Sequence, residues 1–204
     1  MGPRSQCYSS GVSRDDLLLA ALRQRVTVRA GPRVDEFDRS GRPAAAEMDL
    51  VRTEAVLGFG LPPLLRRIYG EVAGGGFGPG NGLFPLHPDR SGAWPEEGLV
   101  EVHTRLVVES QQPSTLLPLC DWGCAIWSCL DCASSDGPIV TLSGEHPPVN
   151  TGHDLRSWLT AWLSGTNLWS EMFEPGRAIT LTSPFTREPV EASTRGKPRG
   201  RPWP

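Results

Sequence analysis

Four of the five cysteines lie close together, at Cys120, Cys124, Cys129 and Cys132, and thiolates can bind zinc or act as nucleophiles. Zinc sites usually combine two well-separated cysteine pairs on turns. Here only AIWS separates the second cysteine from the third, and that run is typical of a strand. Because side chains alternate along a strand, Cys124 and Cys129 should lie on opposite faces. We therefore predict buried, reduced thiols with no metal and no cofactor; a zinc site and a redox role are the alternatives.

The glycine-rich segment GGGFGPGNG at residues 74–82 is the second candidate, because such loops can bind phosphate. It does not match G-x-G-x-x-G in register. It also lacks Gly-Lys-Ser/Thr, since the only lysine of the chain is Lys197. The segment follows a predicted helix, whereas phosphate loops follow a strand and open a helix. We interpret it as a tight turn onto a sheet.

No histidine or carboxylate lies in a recognisable catalytic pattern. His87, His103, His146 and His153 match neither H-E-x-x-H nor G-x-S-x-G, which makes them ordinary polar residues. The sequence therefore predicts no catalytic residues and no enzymatic activity.

Acidic and aromatic residues carry the remaining signal. Residues 94–154 contain nine acidic residues and one basic residue, Arg105, for a net charge of −8, although the whole chain carries only −3. Tryptophans among charges are typical interface anchors, and an acidic face attracts basic proteins and repels nucleic acid. We predict a protein partner, with a basic protein as the candidate, and no nucleic-acid binding. The predicted binding surface is formed by Trp94, Glu96, Glu97, Asp121, Trp122, Trp127, Asp131 and Asp136. The alternatives are a solvated acidic surface and tryptophans that pack the sheet against helices.

Apolar periodicity predicts an α+β fold. Helices are expected at residues 13–25, at 44–57, from Leu61 to the glycine segment, and at 155–163. Apolar runs at 115–121, 123–132 and 137–142 predict three strands of an antiparallel meander. Residues 94–112 fit either a helix or a strand, and residues 26–28 a short strand.

Capping patterns and composition predict how these elements begin and end. Ser13 with Asp16, and Thr151 with Asp154, resemble capping boxes at the starts of the first and last helices. The Pro- and Arg-rich residues at the end of the chain predict a disordered tail. No run approaches the roughly 18 apolar residues of a membrane span, and the first residues lack a signal-like apolar stretch. We therefore expect a cytoplasmic protein without a membrane partner.

Two segments resemble one protein family. Residues 54–65 run Glu54-x-x-Leu57-Gly58-Phe59-x-Leu61-Pro62-x-x-Leu65, followed by Tyr69 and then by GGGFGP at 74–79. With LLPLCDWGC at 116–124 and the helix after His153, this pattern resembles the SUKH superfamily. That superfamily includes the Smi/Knr-type cell-wall regulator of yeast and many bacterial immunity proteins. Ala73 stands where the family often has Asn.

The resemblance implies an antiparallel sheet packed against helices in a domain that binds proteins. It divides the chain into an N-terminal extension and linker at 1–43, a Smi/Knr-like domain at 44–165 and a Pro/Arg-rich tail at 166–204. In bacteria the family is linked to polymorphic toxin systems, in which members neutralise toxins. The implied function is that of an immunity-type binding protein, and the alternatives are a regulatory scaffold without a toxin and a zinc or thiol enzyme.

Overall fold

A computed structural model describes residues 12–29, 31, 40–91, 96–144 and 148–172. Within them the helices are α1 (Arg14–Arg25), α2 (Glu47–Leu57), α3 (Pro63–Glu71), α4 (Leu99–Val108), α5 (Leu155–Leu163) and α6 (Leu168–Glu171). The strands are β1 (Leu116–Gly123), β2 (Ile126–Asp131), β3 (Pro138–Ser143) and β4 (Val149–Asp154). Helices precede the strands, as in an α+β fold, which confirms the predicted class.

The four strands form one antiparallel sheet in the order β1-β2-β3-β4. The predicted three-strand meander is confirmed, with β2 in the interior. The fourth strand was not predicted, because TGHD at 151–154 resembles a helix start. In the structure the last helix is capped by Asp154, whose Oδ1 accepts the Ser157 backbone N–H at 2.7 Å. Thr151 instead donates its hydroxyl to the Ile139 carbonyl of β3 at 3.0 Å, so the predicted Thr151 cap was wrong.

Two apolar clusters cover the two faces of the sheet. The larger combines side chains of α1, α2, α3 and α5 with Leu117, Leu130 and Ile139 of the sheet. The smaller places Val102 and Leu106 of α4 against side chains of the other face, namely Leu116, Cys129, Val140 and Leu142. The sheet is therefore buried on both sides, which explains why β2, an interior strand, carries apolar side chains on both of its faces.

Helix α1 belongs to the main core although it lies in the segment expected to be an extension. Leu18, Leu19 and Leu22 are buried in the larger cluster, and the Ser13–Asp16 capping box is present as predicted. Arg67 of α3 donates to Asp16 at 2.9 Å, and Arg156 of α5 donates to Asp15 at 2.7 Å. Ion pairs around a shared apolar core therefore join α1 to both helices.

The predicted helix boundaries needed two changes. Helix α2 begins at Glu47 and not at Ala44, because the preceding residues bond elsewhere: the Ala45 N–H donates to the Tyr69 carbonyl of α3 at 2.9 Å, and the Gly74 N–H donates to the Pro43 carbonyl at 3.1 Å. Helix α3 begins at Pro63 with its apolar stripe buried as predicted, at Leu61, Leu64, Leu65, Ile68 and Val72. Residues 94–112 contain a helix, α4, and Val28 forms only an isolated bridge with Gly41.

The predicted tail beyond residue 166 begins with ordered structure. Helix α6 follows a short connection, and Leu168 and Met172 are buried. Residues 166–172 are therefore ordered, and residues 173–204, which include the end of the chain predicted to be disordered, lie outside the described part of the chain. Among the helices described, none combines the length and apolar character needed to cross a membrane.

His103 is a buried polar residue that makes the fold sensitive to pH. Its Nε2 lies 2.8 Å from the Ser114 carbonyl, and its ring packs edge-on against Phe59 at 5.9 Å between centroids. Burial lowers the pKa of His103 below its ordinary value, because charging the ring without water is unfavourable.

We expect the free energy of unfolding to decrease as the pH falls below about 6.5, since the unfolded chain then binds a proton that the folded chain resists. The loss should level off once the pH passes the lower folded-state pKa of His103. Urea midpoints at several pH values should show this loss for the native chain. His103→Gln keeps a donor for the Ser114 carbonyl and should lose less between pH 7.5 and 5.5. Equal losses in both proteins would exclude His103 as the cause.

Candidate partner-binding surface

The β1–β2 hairpin ends in a turn with an unusual backbone. Gly123, Cys124 and Ala125 have φ values of 88°, 53° and 57°. The left-handed conformation costs an L-residue about 1–2 kcal/mol, so neither Cys124 nor Ala125 adopts it at ease. The Asp121 carboxylate accepts the Gly123 N–H at 2.7 Å and supports the turn. Backbone strain of this kind is often found at functional sites.

Trp122 lies beside this turn in contact with a second tryptophan. Its Nε1–H donates to the Ser128 hydroxyl at 2.9 Å, which fixes the ring over β2. The Trp122 and Trp169 rings lie 6.0 Å apart between centroids at an interplanar angle of 57°. Trp169 of α6 remains 43% exposed. A partly exposed aromatic pair, with the Trp122 ring held by a hydrogen bond, is well suited to anchor a protein partner.

The glycine segment packs against the end of β1 next to the turn. The Asn81 N–H donates to the Asp121 carbonyl at 2.8 Å. A Cβ atom on Gly80 would lie 2.8 Å from the same oxygen and 3.1 Å from Cδ2 of Trp122. The segment therefore packs backbone against β1, which agrees with its interpretation as a turn. We call Asp121, Trp122, Trp169 and the turn at 123–125 the tryptophan surface.

Glu96 and Glu97 do not belong to this surface. The Glu96 side chain is only 12% exposed and forms ion pairs with Arg29 and Arg42. Glu97 is paired with Arg105 at 2.6 Å. The structure thus places Glu96 in a partly buried charge network and Glu97, which precedes α4, in a surface ion pair with Arg105 of that helix.

Trp127 lies on the opposite face of the sheet from Trp122. It packs against the cluster formed by α4 and by Leu142 of β3. Its role in that cluster fits the packing alternative, since the ring is partly buried. Trp94 lies outside the described residues.

Asp131 and Asp136 lie at the end of the sheet opposite the β1–β2 turn. Asp131 ends β2 and accepts the Ala133 N–H at 3.0 Å, as turn-forming aspartates do. At about 3.3 Å per residue, the length of β2 separates it from the tryptophan surface by about 16 Å. Asp136 is exposed in the β2–β3 connection. Of the predicted residues that the structure describes, only Asp121 and Trp122 therefore come together at the tryptophan surface.

The acidic block is also less negative in space than in sequence. Glu96, Glu97, Glu101 and Asp154 each form an ion pair with an arginine. Most of those arginines, including Arg42, Arg90 and Arg156, lie outside residues 94–154. Charges that are distant in sequence compensate one another in the fold, so a sum along the chain overestimates the acidic surface.

Trp169 was not among the predicted binding residues. It follows Gly165 in the segment assigned to the Pro/Arg-rich tail. The available signal was the short apolar pattern Leu168, Trp169 and Met172, which fits one buried helical turn.

The cysteines occupy different environments. Cys120 and Cys129 are buried and free, as predicted, Cys132 is half-buried, and Cys124 is exposed in the turn and not in a strand. Burial raises the pKa values of the Cys120 and Cys129 thiols well above their usual range and that of Cys132 to about 12. These three thiols are protonated at neutral pH and are therefore poor nucleophiles.

Possible metal ligands are dispersed over the described part of the chain. Within these residues, no three His, Cys, Asp or Glu side chains are placed together so that they could hold a metal ion. The separation of the exposed Cys124 from the buried thiols is one reason, since the predicted zinc alternative needs all four cysteines around one point.

The chain matches the model of a known protein family. The model of the SMI1 / KNR4 family (SUKH-1) matches residues 44–162. No curated protein and no solved structure gave a significant match. The matched range includes the glycine segment, the whole sheet and most of α5, whereas α1 and α6 lie outside it. The matched residues make up more than half of the chain, and the chain therefore belongs to the SMI1 / KNR4 family (SUKH-1).

Proposed function

We propose that this chain is a non-catalytic protein-binding domain of the immunity type, which neutralises a toxin of a polymorphic toxin system. The observation that carries the proposal is the Trp122–Trp169 pair, with Trp169 exposed, beside the strained β1–β2 turn. Family membership supports a binding role, since the superfamily includes bacterial immunity proteins. A regulatory scaffold without a toxin partner would use the same surface, whereas a thiol enzyme would need a thiol more acidic than the three buried ones.

Asp121 gives the surface a preference among partners. Its carboxylate lies next to Trp122 in sequence and is partly exposed. A carboxylate beside aromatic rings attracts arginine and lysine side chains, because the ring faces and the carboxylate both favour a cation. The proposed partner therefore presents a basic patch, and phosphate-rich nucleic acid is excluded from the same place by repulsion.

Binding kinetics should distinguish the tryptophan that holds the partner, which affects the dissociation rate, from the charge that attracts it, which affects the association rate. Trp169→Ala should increase the dissociation rate from the partner about 30-fold, as expected for an anchor worth about 2 kcal/mol. Asp121→Asn keeps the acceptor for the Gly123 N–H but removes the charge, so it should lower the association rate about two- to fivefold at low salt and less at high salt. The measurement is surface plasmon resonance over a salt series with the purified partner protein.

Two variants serve as controls in the same experiment. Val56→Ala changes an exposed apolar residue of α2, and Asp136→Asn removes a charge at the end of the sheet opposite the β1–β2 turn. Neither should change either rate. If Trp169→Ala bound like the native chain while Val56→Ala or Asp136→Asn weakened binding, the surface would lie elsewhere. Loss of the partner's toxic activity on titration with the chain would support neutralisation, and full activity in the complex would support a scaffold.

A further inference from the structure

Helix α6 is joined to the domain by a connection suited to bending. Helix α5 ends at Leu163, and residues 164–167 are all exposed. Gly165 has a φ of 80°, in the region that glycine adopts without strain. Helix α6 has only four residues and is held mainly by two buried side chains, Leu168 and Met172. A single turn with two anchors has a small free energy of local unfolding.

The face of the sheet toward α6 contains polar groups where apolar ones would be expected, and Met172 of α6 contacts the first of them, Ser128. Ser128 and Thr141 are cross-strand partners on β2 and β3 and are 0% and 2% exposed. The Thr141 Oγ1 has no hydrogen-bond partner among the described residues. Cys120 of β1 is the partner of Ser128 on its other side. We call Ser128 and Thr141 the hydroxyl strip. A buried hydroxyl without a partner favours any state in which water reaches it.

The contacts that close α6 over this strip are weak. The Met172 sulfur lies 3.9 Å from the Ser128 oxygen, a soft contact that contributes little. His153 and Glu171 approach to 2.8 Å, and because their side chains still reach solvent, at 21% and 26% exposure, breaking this contact leaves no buried charge. Trp169 adds its ring contact with Trp122, at 6.0 Å between centroids.

We propose that α6 is a releasable strap. In the closed form it assembles the tryptophan surface and covers the hydroxyl strip. In the open form Trp169 leaves Trp122 and water reaches Ser128 and Thr141, while α4 stays packed on the other face. As far as it concerns binding, the inference rests on the proposed function: only the closed form presents both rings, so the open population lowers the affinity for the partner in proportion.

Thiol labelling of the full chain tests the strap without a partner. In Ser128→Cys the introduced thiol lies under α6, whereas the neighbouring Cys129 is buried under α4. With N-ethylmaleimide and site-resolved mass spectrometry, the introduced thiol should react at least about tenfold faster than Cys129, because α6 opens locally.

Two further variants identify the route of exposure. In the Ser128→Cys background, Leu106→Ala weakens only the α4 face and should accelerate Cys129 while leaving the introduced thiol unchanged. Leu168→Ala removes a strap anchor and should accelerate the introduced thiol at least about tenfold. If Leu106→Ala does not fold, labelling in low urea replaces it: local opening is nearly independent of urea, and global unfolding is not.

Equal labelling rates for the two thiols, accelerated together by both variants or by urea, would overturn the strap. That result would leave the tryptophan surface intact, because the labelling involves no partner. Conversely, native binding by Trp169→Ala would contradict the proposed surface, while the labelling result in the Ser128→Cys chain would still decide the strap.

Discussion

Replacing Gly82 by alanine is expected to destabilise the protein by about 3–5 kcal/mol, through a strained backbone and an overpacked contact. Gly82 has a φ of 89°, and an added Cβ would lie 2.6 Å from the Gly76 carbonyl carbon and closer still to its oxygen. Neither backbone segment can yield, because the Gly76 N–H donates to the Leu83 carbonyl at 2.7 Å and the Phe84 N–H donates to the Leu119 carbonyl at 2.8 Å. The glycine segment is thereby attached to β1.

The measurement is the urea midpoint, with Gly60→Ala as the control. Gly60 is exposed and an added Cβ there would have no atom within 4 Å. That variant should remain within about 0.5 kcal/mol of the native chain. A Gly82→Ala protein as stable as Gly60→Ala would mean that the glycine segment does not pack as described.

Trp158→Ala should cost about 3–5 kcal/mol, since it leaves a large cavity in the main core. Trp158 of α5 is 2% exposed and lies in the cluster that unites α1, α3 and the sheet. Leu65→Ala, at a fully buried position of α3, should cost about 2–5 kcal/mol in the same core.

Thr160→Ala is the matched control on the same helix, because Thr160 is exposed. Its effect on the thermal midpoint should be small. Comparable midpoints for Trp158→Ala and Thr160→Ala would show that α5 does not present Trp158 to the core.

The sequence was sufficient to predict the elements whose periodicity is undisturbed. The apolar stripe of α3 and the runs of β1 to β3 were predicted because side chains at regular spacing must share one buried face. β4 was missed, because Asn150 and Gly152 are weak strand formers and its pairing with β3 is set by tertiary contacts. The start of α2 was placed too early, because backbone hydrogen bonds to α3 and the glycine segment override the helix propensity of Ala44–Ala46.

The candidate site was less predictable than the fold, because its residues come together through contacts between distant parts of the chain. Asp121 and Trp122 were identified from composition, but strand alternation puts Trp127 on the other face. Glu96 interacts with Arg29 and Arg42, which are distant in sequence. Trp169 reaches Trp122 only through the bend at Gly165. Charge compensation and chain reversal are three-dimensional properties, and a linear sum of charges contains neither.

Hydrogen exchange of the chain alone and in complex with its purified partner tests the central claim most directly. The account predicts that the partner slows amide exchange in the β1–β2 turn at 121–126 and in α6, while the exposed side of α2 at 48–56 is unchanged. Protection confined to α2, or to the α4 face around Trp127, with none at 121–126 or in α6, would contradict the claim that the tryptophan surface binds the partner.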